Sequence, residues 1–110
     1  MKYKVIPVPK FKKEAKRLIK KFPSLKSELF NLNELLQKEP KSGTSLGFDT
    51  YKVRVAIKSK GKGKSGGARV ITYFISEDQS IYLLTIYDKS ELDAIDERVL
   101  RKIIEGIKNT

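Results

Sequence analysis

Two apolar runs constrain this chain more than any other feature. Ala68 to Ser76 and Ile81 to Tyr87 are almost continuously hydrophobic and are parted only by Glu77-Asp78-Gln79-Ser80. Short runs rich in β-branched and aromatic residues, bounded by a polar turn, read as the two strands of a buried hairpin. Upstream, Tyr51, Val53, Val55 and Ile57 alternate with Lys52, Arg54, Ala56 and Lys58, a period of two that predicts a third strand with one cationic face. Three consecutive strands with short connections make an antiparallel meander.

The first half of the chain has the other period. Tyr3 to Val8 reads as a short strand ended by Pro7 and Pro9, and Pro9 suits the first turn of a helix. Phe11, Ala15, Leu18, Ile19 and Phe22 recur at helical spacing, with Lys12, Lys13, Lys16, Arg17, Lys20 and Lys21 on the remaining surface. Pro23 stops this helix, and Ser24 is placed to cap a second one striped by Leu25, Leu29, Leu32, Leu35 and Leu36. Pro40 to Gly47 reads as a loop. After the strands, Ser90 and Asp93 resemble a capping box opening a third helix through Leu92, Ile95, Val99, Ile103 and Ile107. The order β-α-α-β-β-β-α predicts an α+β fold, a single domain over 1–110. Its antiparallel sheet of about four strands carries an N-terminal helical hairpin and a C-terminal helix, with helices on one face and the other face open.

Charge separates these segments further. The chain carries a formal charge of +11, and its excess is clustered. Residues 1–26 hold ten Lys or Arg against Glu14 alone, and residues 51–69 hold seven against no acid, whereas residues 70–110 hold eight acids and five bases. Clustering of one sign points to a polyanionic partner, with a solvated basic face as the alternative for the first cluster. The chain has neither cysteine nor histidine, which excludes disulfides, Cys/His zinc sites and His-based catalytic triads. No cofactor and no metal site is expected. The apolar runs are too short to cross a membrane, and the start Met1-Lys2-Tyr3-Lys4 lacks the apolar stretch of a secretory signal, so a cytoplasmic location is expected.

The densest basic stretch is Ser59-Lys60-Gly61-Lys62-Gly63-Lys64-Ser65-Gly66-Gly67-Ala68-Arg69. Lysines spaced by glycines offer cations to phosphates with little obstruction, and Lys58, Lys60, Lys62 and Lys64 are the candidate nucleic-acid-binding set, with Tyr73 to stack on a base. The stretch is not a Walker loop, because its spacing is wrong and it feeds a strand. Lys52 and Arg54 project from one strand face about 7 Å apart, at roughly 3.3 Å per residue. Arg69 opens an otherwise apolar strand and needs a partner, either a bound phosphate or a carboxylate such as Asp88 or Glu91. Gly66 and Gly67 before it would admit a ligand close to the backbone.

Taken together, Tyr51-Lys52-Val53-Arg54-Val55-Ala56, the Lys60 to Phe74 stretch and Ile81-Tyr82-Leu83-Leu84-Thr85-Ile86-Tyr87-Asp88-Lys89-Ser90-Glu91 resemble the RelE/ParE superfamily of toxins, especially its HigB-like RelE branch. The resemblance covers essentially the whole chain. It implies a microbial-ribonuclease-like fold and an mRNA endonuclease, or mRNA interferase, that inhibits translation on the ribosome and is silenced by a cognate antitoxin. By position it assigns catalysis to Lys52, Arg54, Arg69 and Lys89. A tyrosine of the family's last helix falls about where this chain has Ile95, which leaves Tyr87, Lys89 and Glu91 as substitutes for the acid or base. The chemistry agrees with the composition: attack of an RNA 2′-hydroxyl on its own phosphate needs no histidine, and arginines can stabilise the charge it builds. Lys52 is a candidate base. The alternatives are a ParE-like DNA gyrase inhibitor without nuclease activity and a non-catalytic nucleic-acid-binding module. An antitoxin would cover cationic or apolar surface with an acidic or amphipathic segment.

Overall fold

The computed structural model describes residues 2–60 and 66–109. Its elements run β1 (Lys4–Pro7), α1 (Pro9–Lys21), α2 (Leu25–Lys38), β2 (Thr44–Gly47), β3 (Thr50–Val55), β4 (Ala68–Ile75), β5 (Ser80–Asp88) and α3 (Glu97–Lys108). The strands form one sheet in the order β1-β5-β4-β3-β2. The meander β3-β4-β5 is antiparallel, as its sequence predicts. Two features of the sheet depart from expectation. The first strand joins β5 in parallel, so the sheet is mixed, and β2 adds a fifth strand within the segment expected to be a loop. β2 is exposed along its whole length and holds its place by backbone pairing with β3, so it has no hydrophobic alternation to betray it.

α1 starts at Pro9, whose missing N–H costs nothing in a first turn, and buries Phe11, Ala15 and Leu18 against β5. α2 buries Leu25, Leu32 and Leu36 and lies against β1 and β3. Each fully buried leucine stabilises by about 1.5–3 kcal/mol. Ser24 does not cap α2 through its side chain. Its hydroxyl instead accepts the Ser59 N–H at 2.9 Å and pairs with the Ser59 hydroxyl at 2.8 Å, tying the helical hairpin to the turn after β3.

Glu14, the one acid of α1, has a structural task. The register between β4 and β5 slips after Ile71, leaving Leu84 without a partner. Beside this bulge the Thr85 hydroxyl donates to Glu14 Oε1 at 2.7 Å and the Ile86 N–H donates to it at 3.2 Å, while Lys10 pairs with the other carboxylate oxygen. A carboxylate from the helix thus satisfies polar groups of the irregular strand.

α3 begins later than expected, at Glu97, where the Asp96 carboxylate accepts the Arg98 N–H at 2.8 Å. Ser90 instead donates its N–H and its hydroxyl to Asp88, at 3.0 and 2.9 Å. Nor does α3 share a face with α1 and α2. It lies over the opposite face of the sheet, because Leu100 and Ile104 need apolar partners and Ile71 and Tyr73 offer them there. The match is incomplete: Leu100 is the only α3 side chain that is buried, and a cleft of about 640 Å³ remains between helix and sheet.

Two close approaches lock the end of the meander. Gly67 packs against protein and not against a ligand: a Cβ there would collide with the Val55 carbonyl oxygen and crowd Ala56 Cα and Ile57 N at 3.1 Å each. Asp88, fully buried at the end of β5, accepts Lys60 Nζ at 2.7 Å and both Ser90 donors on Oδ1. Burial pushes the Asp88 carboxyl up, but hydrogen bonds from Lys60 and Ser90 together with the Lys60 charge outweigh it and hold the group below its ordinary 3.8.

Gly67→Ala is expected to lose at least about 1–3 kcal/mol by overpacking, whereas Gly106→Ala, in open space within α3, gains about 0.5–1 kcal/mol of helix stability. Urea midpoints with unchanged m values check both. Because Asp88 is depressed in the folded state, its contribution is complete above 3.8 and drains away as pH falls through the lower folded value. Lys60→Met removes the compensating cation, so its acid-induced unfolding is expected to begin at higher pH than that of the unaltered protein. Circular dichroism followed against pH reads the difference.

Candidate functional site

Cross-strand partners share a face, so the register states which side chains meet on the α3 side of the sheet. Arg54 pairs with Arg69, and Arg69 with Tyr87, giving a row of three across β3, β4 and β5. One step along, Lys52 pairs with Ile71, and then Thr50 with Tyr73. Lys89 follows Tyr87 by two residues and acts electrostatically on its phenol, as Arg69 does. The structure therefore gathers Lys52, Arg54, Arg69, Tyr87 and Lys89 from three strands onto one face. Such convergence cannot be read from sequence separation.

Burial differs along the row. Arg54 is exposed, Lys52 and Lys89 are half-buried, and Arg69 is only 4% exposed, with a guanidinium nitrogen donating to the Ala68 carbonyl at 3.1 Å. Tyr87 is buried too, and burial pushes its phenol above the ordinary 10.0; the Arg69 and Lys89 cations pull it back in part, and Asp93 adds a small upward push. It stays protonated at neutral pH and can donate a proton. Asp93 closes the cluster: its carboxylate pairs with Lys89, whose hydrogen bond and charge, with a smaller effect of Lys52, hold it below the usual range. Asp93 was not legible as a site residue, since its spacing from Ser90 has a sufficient local reading as a helix start.

The remaining candidates go elsewhere. Glu91 turns to α1, pairing with Arg17 at 3.2 Å and Lys21 at 3.7 Å. Asp88, a possible partner of Arg69 from the sequence, is taken by Lys60. Lys60 is held by that pair, by Ser90 at 3.1 Å and over the Phe22 ring at 5.2 Å, which makes it a structural cation. Lys58 is exposed and reaches Glu28 of α2 at 3.6 Å. Lys62 and Lys64 lie outside the described residues. Tyr73 is 7% exposed and lines the cleft wall.

The cleft continues the cationic row with an apolar trough. Its sheet wall includes Lys52, Ile71, Tyr73 and Tyr87, its helix wall Leu100 and Ile104, and Leu46 and Phe48 stand at its β2–β3 end. Ile95, partly buried, also lines it. A second basic surface, formed by Lys13, Lys16, Arg17, Lys20 and Lys21, sits on α1, which packs on the other side of the sheet. Among the described residues no helix is long and apolar enough to cross a membrane.

No protein-family model matches the chain. Solved structures do. An arginine-to-alanine double mutant of the E. coli toxin RelE in the free state superposes with a TM-score of 0.64 at 15% sequence identity, covering 97% of this chain and 99% of that one. The isolated E. coli RelE toxin superposes with a TM-score of 0.50 at 19% identity, covering 96% and 98%. At that identity the likeness speaks for architecture alone, and it runs the length of both chains: three helices on a sheet built around the β3-β4-β5 meander are, in this protein, the RelE fold.

Proposed function

We propose that this chain is the toxin of a toxin-antitoxin pair, an endoribonuclease that cuts mRNA on the ribosome. The observation that carries the reading is the row Arg54–Arg69–Tyr87, flanked by Lys52 and Lys89, on one face of a RelE fold. Cations drawn from separate strands suit a phosphate whose charge grows during reaction, and a buried arginine acts in a low-dielectric setting where that charge is felt most.

In this reaction the 2′-oxygen attacks the adjacent phosphorus while the bond to the 5′-oxygen breaks. Lys52, the base in this reading, takes the 2′-hydroxyl proton. Arg54 and Arg69 hold the phosphoryl oxygens, and the Tyr87 phenol, kept protonated by its burial, supplies the proton that leaves with the 5′-oxygen. The products are a 2′,3′-cyclic phosphate and a 5′-hydroxyl, and DNA, lacking the 2′-hydroxyl, is spared. Lys89, joined to Asp93, steadies the strand beyond the cut. The partner antitoxin is a protein whose acidic or amphipathic segment covers this face.

Induced alone, the chain is expected to stop growth with fragmentation of translated mRNA. Arg69→Ala lowers cleavage by about 10²–10³, and Arg54→Ala, at an exposed position that leaves folding intact, lowers it in the same direction. A single 2′-deoxy substitution at the cut site abolishes cleavage there. Equal cutting by the Arg69→Ala variant refutes the site, and DNA damage with intact mRNA favours a gyrase inhibitor. Tyr87→Phe is expected to reduce kcat by about 10²–10⁴. Since the phenol titrates above 10.0, the unaltered enzyme keeps its acid up to and beyond that pH.

A further inference from the structure

The turn between β2 and β3 spends conformational free energy with no return inside the fold. Gly47, Phe48 and Asp49 have φ of +86°, +52° and +61°, so three residues in succession are left-handed and only the first is glycine. Asparagine and glycine adopt that backbone readily, and a phenylalanine does so at a cost. Phe48 is also 88% exposed, more than any other large hydrophobic side chain among the described residues. Two independent penalties fall on one residue. The turn is nonetheless held firmly: the Phe74 N–H donates to the Asp49 carbonyl at 2.9 Å, and the Thr50 hydroxyl donates to the Gly47 carbonyl at 2.6 Å. A rigid mount that presents an aromatic ring to solvent has already met the ordering cost of binding.

The setting identifies what the ring would meet. Phe48 stands at the end of the cleft whose sheet wall carries Lys52, with Arg54 two residues further along the same strand face. Only Asp49 of the turn and Thr50 and Tyr51 of β3 separate Phe48 from Lys52, a short reach for an extended single strand of a few nucleotides. The α3 wall mixes Glu97 and Glu105 with Arg101 and Lys108, so attraction for a polyanion comes from the sheet wall. Cations in line with an exposed aromatic face are the combination that binds single-stranded nucleic acid, one gripping phosphates and the other stacking a base.

We infer that Phe48 is a base-stacking platform that grips a nucleotide of single-stranded RNA a few nucleotides along the strand from the scissile phosphate. The inference rests on the ribonuclease reading for the direction of the strand, and the measurements separate the two. The probe is a short RNA, 2′-O-methylated throughout so that it cannot be cut, with one 2-aminopurine moved along it. Stacking on Phe48 quenches that base at one position. Phe48→Leu, which keeps the turn apolar, is expected to abolish the quench and weaken binding about 5- to 100-fold with an unchanged salt slope, because no phosphate contact is lost. Phe48→Trp restores both. Phe48→Asn, suited to the left-handed backbone, raises the melting temperature while weakening RNA binding, an opposition that a merely structural residue would not show. Wild-type quenching and affinity retained in Phe48→Leu overturn the proposal, as does a dimer in sedimentation that this variant dissociates, which would make the turn a contact between copies. Cleavage of unmodified RNA with the same KM by both proteins sinks the platform and leaves the nuclease; Phe48-dependent quenching without any cleavage does the reverse.

Discussion

A single buried carboxylate organises the end of the sheet that carries the cationic row. Asp88 closes β5, has no exposure to solvent, and draws Lys60 and both donors of Ser90 onto one oxygen. Its carbonyl accepts the N–H groups of Glu91 and Leu92, each at 3.0 Å, so the chain is turned sharply where it leaves the sheet. Lys89 is pinned between these bonds, its own N–H donating to Gly67 at 3.0 Å. The positions of Lys89 and Asp93 relative to the arginines follow from that turn. An ion pair this deep carries a heavy desolvation cost, and it persists because the lysine and the serine return hydrogen bonds to the charge they surround.

The two faces of the sheet obey different rules. On the α1 and α2 side, leucines at helical spacing meet the strands and close a core in which Leu18, Leu25 and Leu36 are fully buried. On the α3 side the strands gather charge at the Arg54–Arg69 end and apolar side chains toward Ile71 and Tyr73, and one helix cannot cover both kinds. α3 takes the apolar half and leaves the arginine row and the cleft outside. The incompleteness of packing on this face is thus what leaves a cleft open beside Lys52 and Tyr87, and its cost is carried by the well-filled opposite face. The basic surface of α1 lies on the other side of the sheet from the row.

Much of this was legible. The strands of the meander, both early helices and the cationic face of β3 follow from hydrophobic period alone. The failures share a cause. β2 has no buried side chain, so nothing in its pattern could mark it. Lys60 reads as one more cation of a basic stretch, and only the fold brings Asp88, 28 residues away, within 2.7 Å of it. Gly67 reads as space for a ligand, and the fold fills that space with β3 backbone. Glu14 reads as a lone acid in a basic helix, and only the bulge in β5 reveals why an acid stands there.

Local physics, then, was written in the order of residues: where the backbone alternates or coils, which faces are apolar, which stretches are charged. Those properties arise between neighbours a few positions apart, and side-chain period records them directly. Which lysine is a strut and which faces the cleft, which glycine is crowded, and which side of the sheet the last helix takes were decided by tertiary structure, because each depends on a group distant in sequence whose approach no local pattern encodes.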